Sequence, residues 1–218
     1  MIEQWLRESV EWRNWDLNVV TISFIATVFF TILSGWSLVK QKNTIQQMES
    51  GKAVSVPLFS YLCSLFFTFL YYGIVTNSIA PVINGLLGIL YLQVLFGLWR
   101  HKGFSKNERR LVKILPLIPL GMIILPWKDT LMTAAFAGGL LAVAHQLYEL
   151  WQARDPGAVD INYVSVFFVS TLFWTIYAYA AGNVPLQIIN PPTLVVLTAI
   201  ILLWFRYRRL RPTPQRAP

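Results

Sequence analysis

The sequence predicts an all-α membrane protein of seven transmembrane helices, built as two parallel three-helix bundles joined by a linker helix. Three observations predict it. Of the 218 residues, 56% are hydrophobic and 13% charged, against about 25% charged in a typical soluble domain, and mean hydropathy is +0.53. Seven apolar stretches approach the roughly 20 residues that a helix needs to cross a bilayer. The stretches also repeat: residues 56–96 align on a later segment without a gap, at an offset of 106. This composition excludes disordered, collagenous, coiled-coil and disulfide-built chains. The single cysteine, Cys63, allows no intrachain disulfide.

The stretches lie at 18–38, 57–76, 79–99, 111–127, 130–151, 161–181 and 185–205. Lipid offers no water to exposed backbone, so each is expected to be a helix. Residues 1–17 come first. They contain Glu3, Glu8, Glu11 and Asp16 and lack an apolar centre, so they do not read as a signal peptide. Trp5, Trp12 and Trp15 predict a short helix in the outer interface, with no functional role. The first repeat covers 18–99, and its last two spans are close enough to form a tight hairpin. The linker helix, 111–127, carries Pro116, Pro119 and Pro126 and is expected to be kinked. The second repeat covers 130–206 and ends in a second tight hairpin. Residues 207–218 are expected to be a basic, disordered tail. The Arg206–Arg211 stretch within and before it suits anionic headgroups.

Basic residues set the expected orientation. Connections 39–56, 100–113 and 149–160 and the C-terminal tail hold fifteen Lys or Arg; the alternate set holds only Arg7, Arg13 and Lys128. The N-terminus is therefore expected outside and the C-terminus in the cytoplasm, in the plasma (inner) membrane. The net charge of +8 reads as topology, not as a nucleic-acid surface.

In the repeat, Ser64 falls on Ser170, Tyr71 on Tyr177 and Asn84 on Asn190. The first span aligns with the fifth if the first half has a five-residue longer loop, which pairs Ser34 with His145 and Gly35 with Gln146. Three helices alone would invert the second copy; the linker restores the orientation. Parallel repeats of this kind occur in transporters, with the site at the repeat interface near the midplane.

The polar residues inside the spans are the candidate site. A transmembrane amide is costly without a partner. Asn84 and Asn190, at equivalent places, are expected to face the central axis and offer donors and acceptors to a hydroxyl- or amide-bearing ligand. Interhelical packing is the competing reading. Pro191 and Pro192 follow Asn190 and remove backbone donors, which predicts a bend there. Trp174 and Thr68 form a second repeat pair, each three residues before a tyrosine and 16 before an asparagine. An indole there would stack on a sugar or base. Ser64, Ser170, Ser34 and Gln93 are possible polar lining, or simply bond their own helix. His145 and Glu149 share a helix face, and a neutral hydrogen-bonded His145 is favoured over a proton carrier. No span contains a deep Asp or Glu, so facilitated diffusion is the default. No catalytic set, glycine-rich phosphate loop or metal-ligand cluster is recognisable, so no enzyme activity, metal or cofactor is expected.

The pattern resembles the SWEET sugar transporters of the MtN3/PQ-loop group over residues 18–208. Ile83-Asn84-Gly85, Trp174-Thr175-Ile176-Tyr177 and Thr68-x-x-Tyr71-Tyr72-Gly73 are similar to that family's motifs in its helices 3, 6 and 2. The resemblance implies a substrate cavity lined by Asn84, Asn190, Trp174 and Thr68, with Tyr71 and Tyr177 as gates and Ser64, Ser170, His145 and Gln146 nearby. Of the family's four hinge prolines only Pro57 is near its place; the others fall at Gly35, Gln146 and Tyr163. The expected function is alternating-access transport of a small polar solute, a sugar first. A vitamin, nucleoside or amino-acid carrier of the same fold is the alternative, and a sorting receptor resembling the KDEL receptor is another. The expected partners are the solute and the bilayer, not nucleic acid; homo-oligomerisation stays open.

Overall fold

A computed structural model describes residues 2–13, 15–180 and 184–210. The described residues form helices and connections, with no strand. In order, they are α1 (Ile2–Glu8), α2 (Val10–Arg13), α3 (Val19–Gln47), α4 (Val56–Val75), α5 (Ile79–Gly85), α6 (Leu87–His101), α7 (Lys106–Ile114), α8 (Leu117–Ile124), α9 (Lys128–Ala153), α10 (Ile161–Ala180) and α11 (Val184–Leu210). Among these residues, six helical segments are long and apolar enough to cross a membrane: α3, α4, α5 with α6, α9, α10 and α11.

Local chemistry explains several boundaries. The Asn18 side chain accepts from the Thr21 N–H at 2.9 Å and starts α3. Ser55 caps α4 through the Leu58 N–H at 3.2 Å, with Pro57 in the first turn. Ser105 and Glu108 form a capping box at α7. Arg154, at φ +46°, ends α9.

The fourth stretch does not form one continuous span. It is two short helices, α7 and α8, interrupted at Leu115–Pro116, because a proline ring removes a donor and crowds the preceding turn. The α7 segment is strongly charged, Lys106 to Lys113, and only the α8 segment is apolar throughout. The C-terminal end also differs from expectation. Helix α11 runs through Tyr207 to Leu210, so the helix continues beyond the 205–206 boundary; 211–218 lie outside the described residues. Pro191 and Pro192 sit inside α11, whose helical run is unbroken.

The packing has two halves. The α5–α6 segment packs against both α3 and α4, and α11 packs against both α9 and α10. The halves meet where α3 lies on α10 and α4 on α9. This is an approximately twofold arrangement, because the first and second helices of each half exchange partners with those of the other. The Ala158 N–H donates to the Lys52 carbonyl at 3.0 Å, so the connections after α3 and α9 touch at one end of the bundle. The end of α6 lies there too, since Lys102 donates to the Val54 carbonyl at 2.8 Å. We call this the loop end and the opposite one the hairpin end. The chain must therefore travel the length of the bundle between His101 and Lys128.

The most completely buried side chains gather towards the loop end: Leu38, Ile45, Val54, Val56, Val94, Leu98 and Leu150 are each at most 1% exposed. The outer surface is apolar. On α3, Ile22, Ile25, Phe29, Ile32 and Trp36 are exposed at three- and four-residue spacing, the stripe a helix presents to lipid.

Two glutamines reveal the register of the repeat. The Gln41 amide donates to the Ala158 carbonyl at 2.7 Å and its oxygen accepts from the Asp160 N–H at 2.9 Å. The Gln146 amide donates to the Ala53 carbonyl at 2.8 Å and its oxygen accepts from the Ser55 N–H at 2.9 Å. Each half thus ties down the loop of the other, and the paired positions all stand 105 residues apart. Gln146 is therefore equivalent to Gln41, not to Gly35, and His145 to Lys40, not to Ser34. The longer loop assumed from the sequence is unnecessary. Replacing either glutamine by alanine strands a buried carbonyl and N–H, which costs about 1–3 kcal/mol per group. We expect Gln41→Ala and Gln146→Ala to lower the thermal midpoint by similar amounts. Unfolding of the detergent-purified variants measures it; an effect at only one of them would contradict the symmetric role.

Candidate functional site

A cavity of about 110 Å³ lies between the two halves. All six long helical segments contribute to its wall, and no charged side chain is among the described lining residues. Asn84 on α5 and Asn190 on α11 both line it, and each is 8% exposed. The Asn84 Oδ1 accepts a hydrogen bond from the Thr31 hydroxyl at 3.1 Å. The Asn190 Nδ2 is buried with no hydrogen-bond partner among the described residues. An orphan donor in such a place costs free energy unless something else accepts from it.

Aromatic rings form most of the remaining wall. Trp174 on α10 stands edge-on to Phe69 of α4, with centroids 6.1 Å apart and planes at 83°. Phe66 stacks on Tyr91, centroids 5.0 Å apart. Phe136 and Phe167 complete the set. Towards the loop end, the hydroxyls of Tyr91 on α6 and Tyr163 on α10 meet at 3.2 Å and join the two halves. Both tyrosines are almost wholly buried, at 2% and 4% exposure. Towards the hairpin end, Tyr177, Phe24 and Ala80 pack together with Trp174 and Ile79 above the cavity.

The other expected site residues fall in different places. Ser170 and Ser34 line the cavity. Thr68 does not. It is fully buried, donates to the Ser64 carbonyl at 2.8 Å, and borders a separate crevice against α8 and α9. The α4 residue opposite Trp174 is Phe69, because α4 and α10 are related by 105 residues whereas the asparagines are 106 apart. One residue rotates a helical side chain by about 100°, enough to turn Thr68 away. Ser64 is buried but outside the lining. Tyr71 lies near the start of α9, where the Lys128 ammonium stands 5.2 Å from its ring centroid. Tyr177 is in the roof. His145 and Gln146 are at the loop end: the His145 Nδ1 is 2.9 Å from the Ser55 hydroxyl, and Gln146 ties the connection before α4. Glu149 lies 3.7 Å from Lys102, which is the same distance from Glu108.

Sequence reasoning missed Thr31, Phe66, Phe69, Tyr91 and Tyr163. A residue offset of 105 applied to α10 would have identified Phe69 and Phe66 as counterparts of Trp174 and Thr171. The tyrosine pair carried no signal, because its members come from non-equivalent helices.

Among the described residues, no group of three or more His, Cys, Asp and Glu is placed to hold a metal. The fold defines the class as all-α, with six described helical segments apolar and long enough to cross a bilayer, as in an integral membrane protein. Within that class no family model, curated protein or solved structure matches the chain.

Proposed function

We infer that the chain is a membrane carrier that passes a small, neutral, polar solute through the central cavity by alternating access between its two halves. The observation that carries this reading is the asparagine pair: two buried amides from equivalent helices meet one cavity, and Asn190 keeps an unpaired donor there. A scaffold without a ligand gains nothing from that costly arrangement. The SWEET-like motifs support a sugar as the first solute to test, with Trp174 as the stacking surface. The basic-residue asymmetry supports the N-terminus and hairpin end outside and the loop end in the cytoplasm of a plasma (inner) membrane. The path of residues 102–127 from one end of the bundle to the other supports a seventh crossing through α7 and α8, the linker of a SWEET-like 3+1+3 plan. No carboxylate is among the described lining residues, which keeps facilitated diffusion ahead of ion coupling.

A nucleoside-like solute is the second reading, favoured by the density of aromatic rings around few polar groups. A receptor that grips a peptide carboxylate is disfavoured by the uncharged lining. The test is thermal unfolding of the detergent-purified protein across sugars, nucleosides, vitamins and amino acids, followed by uptake into proteoliposomes. A bound solute raises the midpoint by mass action. We expect one chemical class to raise it and to be taken up, with both effects lost in Trp174→Ala. Uptake that persists unchanged in Trp174→Ala would remove the indole from the site.

A further inference from the structure

The N-terminal segment, expected from sequence to be a passive interfacial helix, reaches into the bundle. Glu11 on α2 is 3% exposed. Its Oε1 accepts from the Ser78 hydroxyl at 2.7 Å and the Ala80 N–H at 3.1 Å, and its Oε2 from the Ile79 N–H at 2.9 Å. The Ile79 and Ala80 N–H groups are the first backbone donors of α5, which have no partner inside their own helix. The Ser78 side chain does not cap them. Glu11 does so from 67 residues away, and its charge makes the bonds strong. A second tie lies alongside: the Trp5 indole donates to the Ile74 carbonyl, near the end of α4, at 3.2 Å.

What Glu11 holds is the roof. Ile79 and Ala80 belong to the first half and pack on Tyr177 and Trp174 of the second. Helix α5 meets α6 at a single turn residue, Leu86, whose backbone stays helical, and carries Asn84. It is also closely tied to α4: a methyl at Gly85 would stand 2.5 Å from the Leu70 backbone, and one at Gly73 2.7 Å from the Val82 nitrogen. The end of α4 and α5 therefore form one packed hairpin, and the carboxylate sits at its tip.

We propose that Glu11 is the catch of a gate at the hairpin end: by pinning the first turn of α5, it keeps the roof closed over the cavity, and the cavity opens there when the segment 2–13 lifts away. The catch rests on the carrier reading for its purpose, but its test needs no solute. Opening exposes the Ile79 and Ala80 N–H groups to water, which takes over the bonds that Glu11 made, so the closed and open states exchange one set of partners for another.

The experiment measures the rate at which a hydrophilic maleimide modifies a cavity cysteine, Thr171→Cys in a Cys63→Ala background, in the full-length detergent-purified protein. Glu11→Ala and Glu11→Gln are expected to speed it about tenfold or more, as the loss of charge-assisted hydrogen bonds favours the open state. Glu11→Asp is expected to fall between them and the parent. If Glu11→Ala does not fold, Ser78→Ala removes one of the three bonds and is expected to give a smaller acceleration. The buried Cys63 of the otherwise unmodified chain is the control, since it reports loosening of the whole bundle. An unchanged rate at Thr171→Cys, or an equal acceleration at Cys63, would overturn the proposal. Acceleration without any solute uptake would leave the gate standing and sink the carrier reading.

Discussion

Replacing Asn190 by leucine should strongly reduce solute uptake while leaving the solute-free protein at least as stable as the parent. The reason is the unpaired Nδ2, buried in the cavity wall with no partner among the described residues. A buried donor without an acceptor costs about 1–3 kcal/mol, and an isosteric apolar side chain avoids that cost. A group kept at such expense is expected to serve a ligand, which would lose the donor and an acceptor in the variant. We expect uptake to fall about tenfold or more, the equivalent of one to two lost hydrogen bonds. The thermal midpoint without solute should stay level or rise. A midpoint several degrees lower would show that the amide holds helices together, and the site would have to be sought elsewhere. Asn84→Leu provides the contrast. Its oxygen accepts from Thr31, so this variant should lose stability as well as uptake.

Gly85→Ala should be strongly damaging for a change of one methyl. The added carbon would stand 2.5 Å from the Leu70 nitrogen and Cα and 2.6 Å from its Cβ. These are backbone and near-backbone atoms, which cannot rotate aside, so α5 would have to move off α4. Overpacking of this kind costs about 1–3 kcal/mol or more, and here it also displaces the adjacent Asn84. We expect a clear fall in thermal midpoint together with weaker solute binding. Gly139→Ala is the control: its methyl meets Leu65 at 3.5 Å, an ordinary contact, so its midpoint should hardly change. Equal behaviour of the two variants in thermal unfolding would mean that α5 is not clamped to α4.

Much of the candidate site was readable because it rests on composition and helical period. Asn84 and Asn190 stand out as amides in apolar runs, and both line one cavity. Trp174 follows from the same spacing. The rest failed for identifiable reasons. Carrying the asparagine offset back into the preceding helix leads to Thr68, but the asparagines stand 106 residues apart whereas α4 and α10 begin 105 apart. Gln146 was matched to Gly35 because apolar helices align nearly as well in several registers; the hydrogen bonds of Gln41 and Gln146 distinguish one of them. Glu11 sits among exposed charged residues in a polar segment, and no local pattern separates a carboxylate that caps a distant helix from one that faces water.

The sequence by itself determined the helical class, six of the seven apolar segments and the irregularity at the linker prolines, and pointed to two related halves. Each follows from local chemistry: apolar length, the missing donor of proline, and side chains recurring along the chain. Only the tertiary structure decided which face of each helix meets the cavity, that Tyr91 and Tyr163 join across it, and that Glu11 holds the first turn of α5. The last two depend on contacts between residues 67 to 72 positions apart. A one-residue change of register, almost invisible in hydropathy, turns a helical side chain through about 100° and so decides whether threonine or phenylalanine faces the cavity.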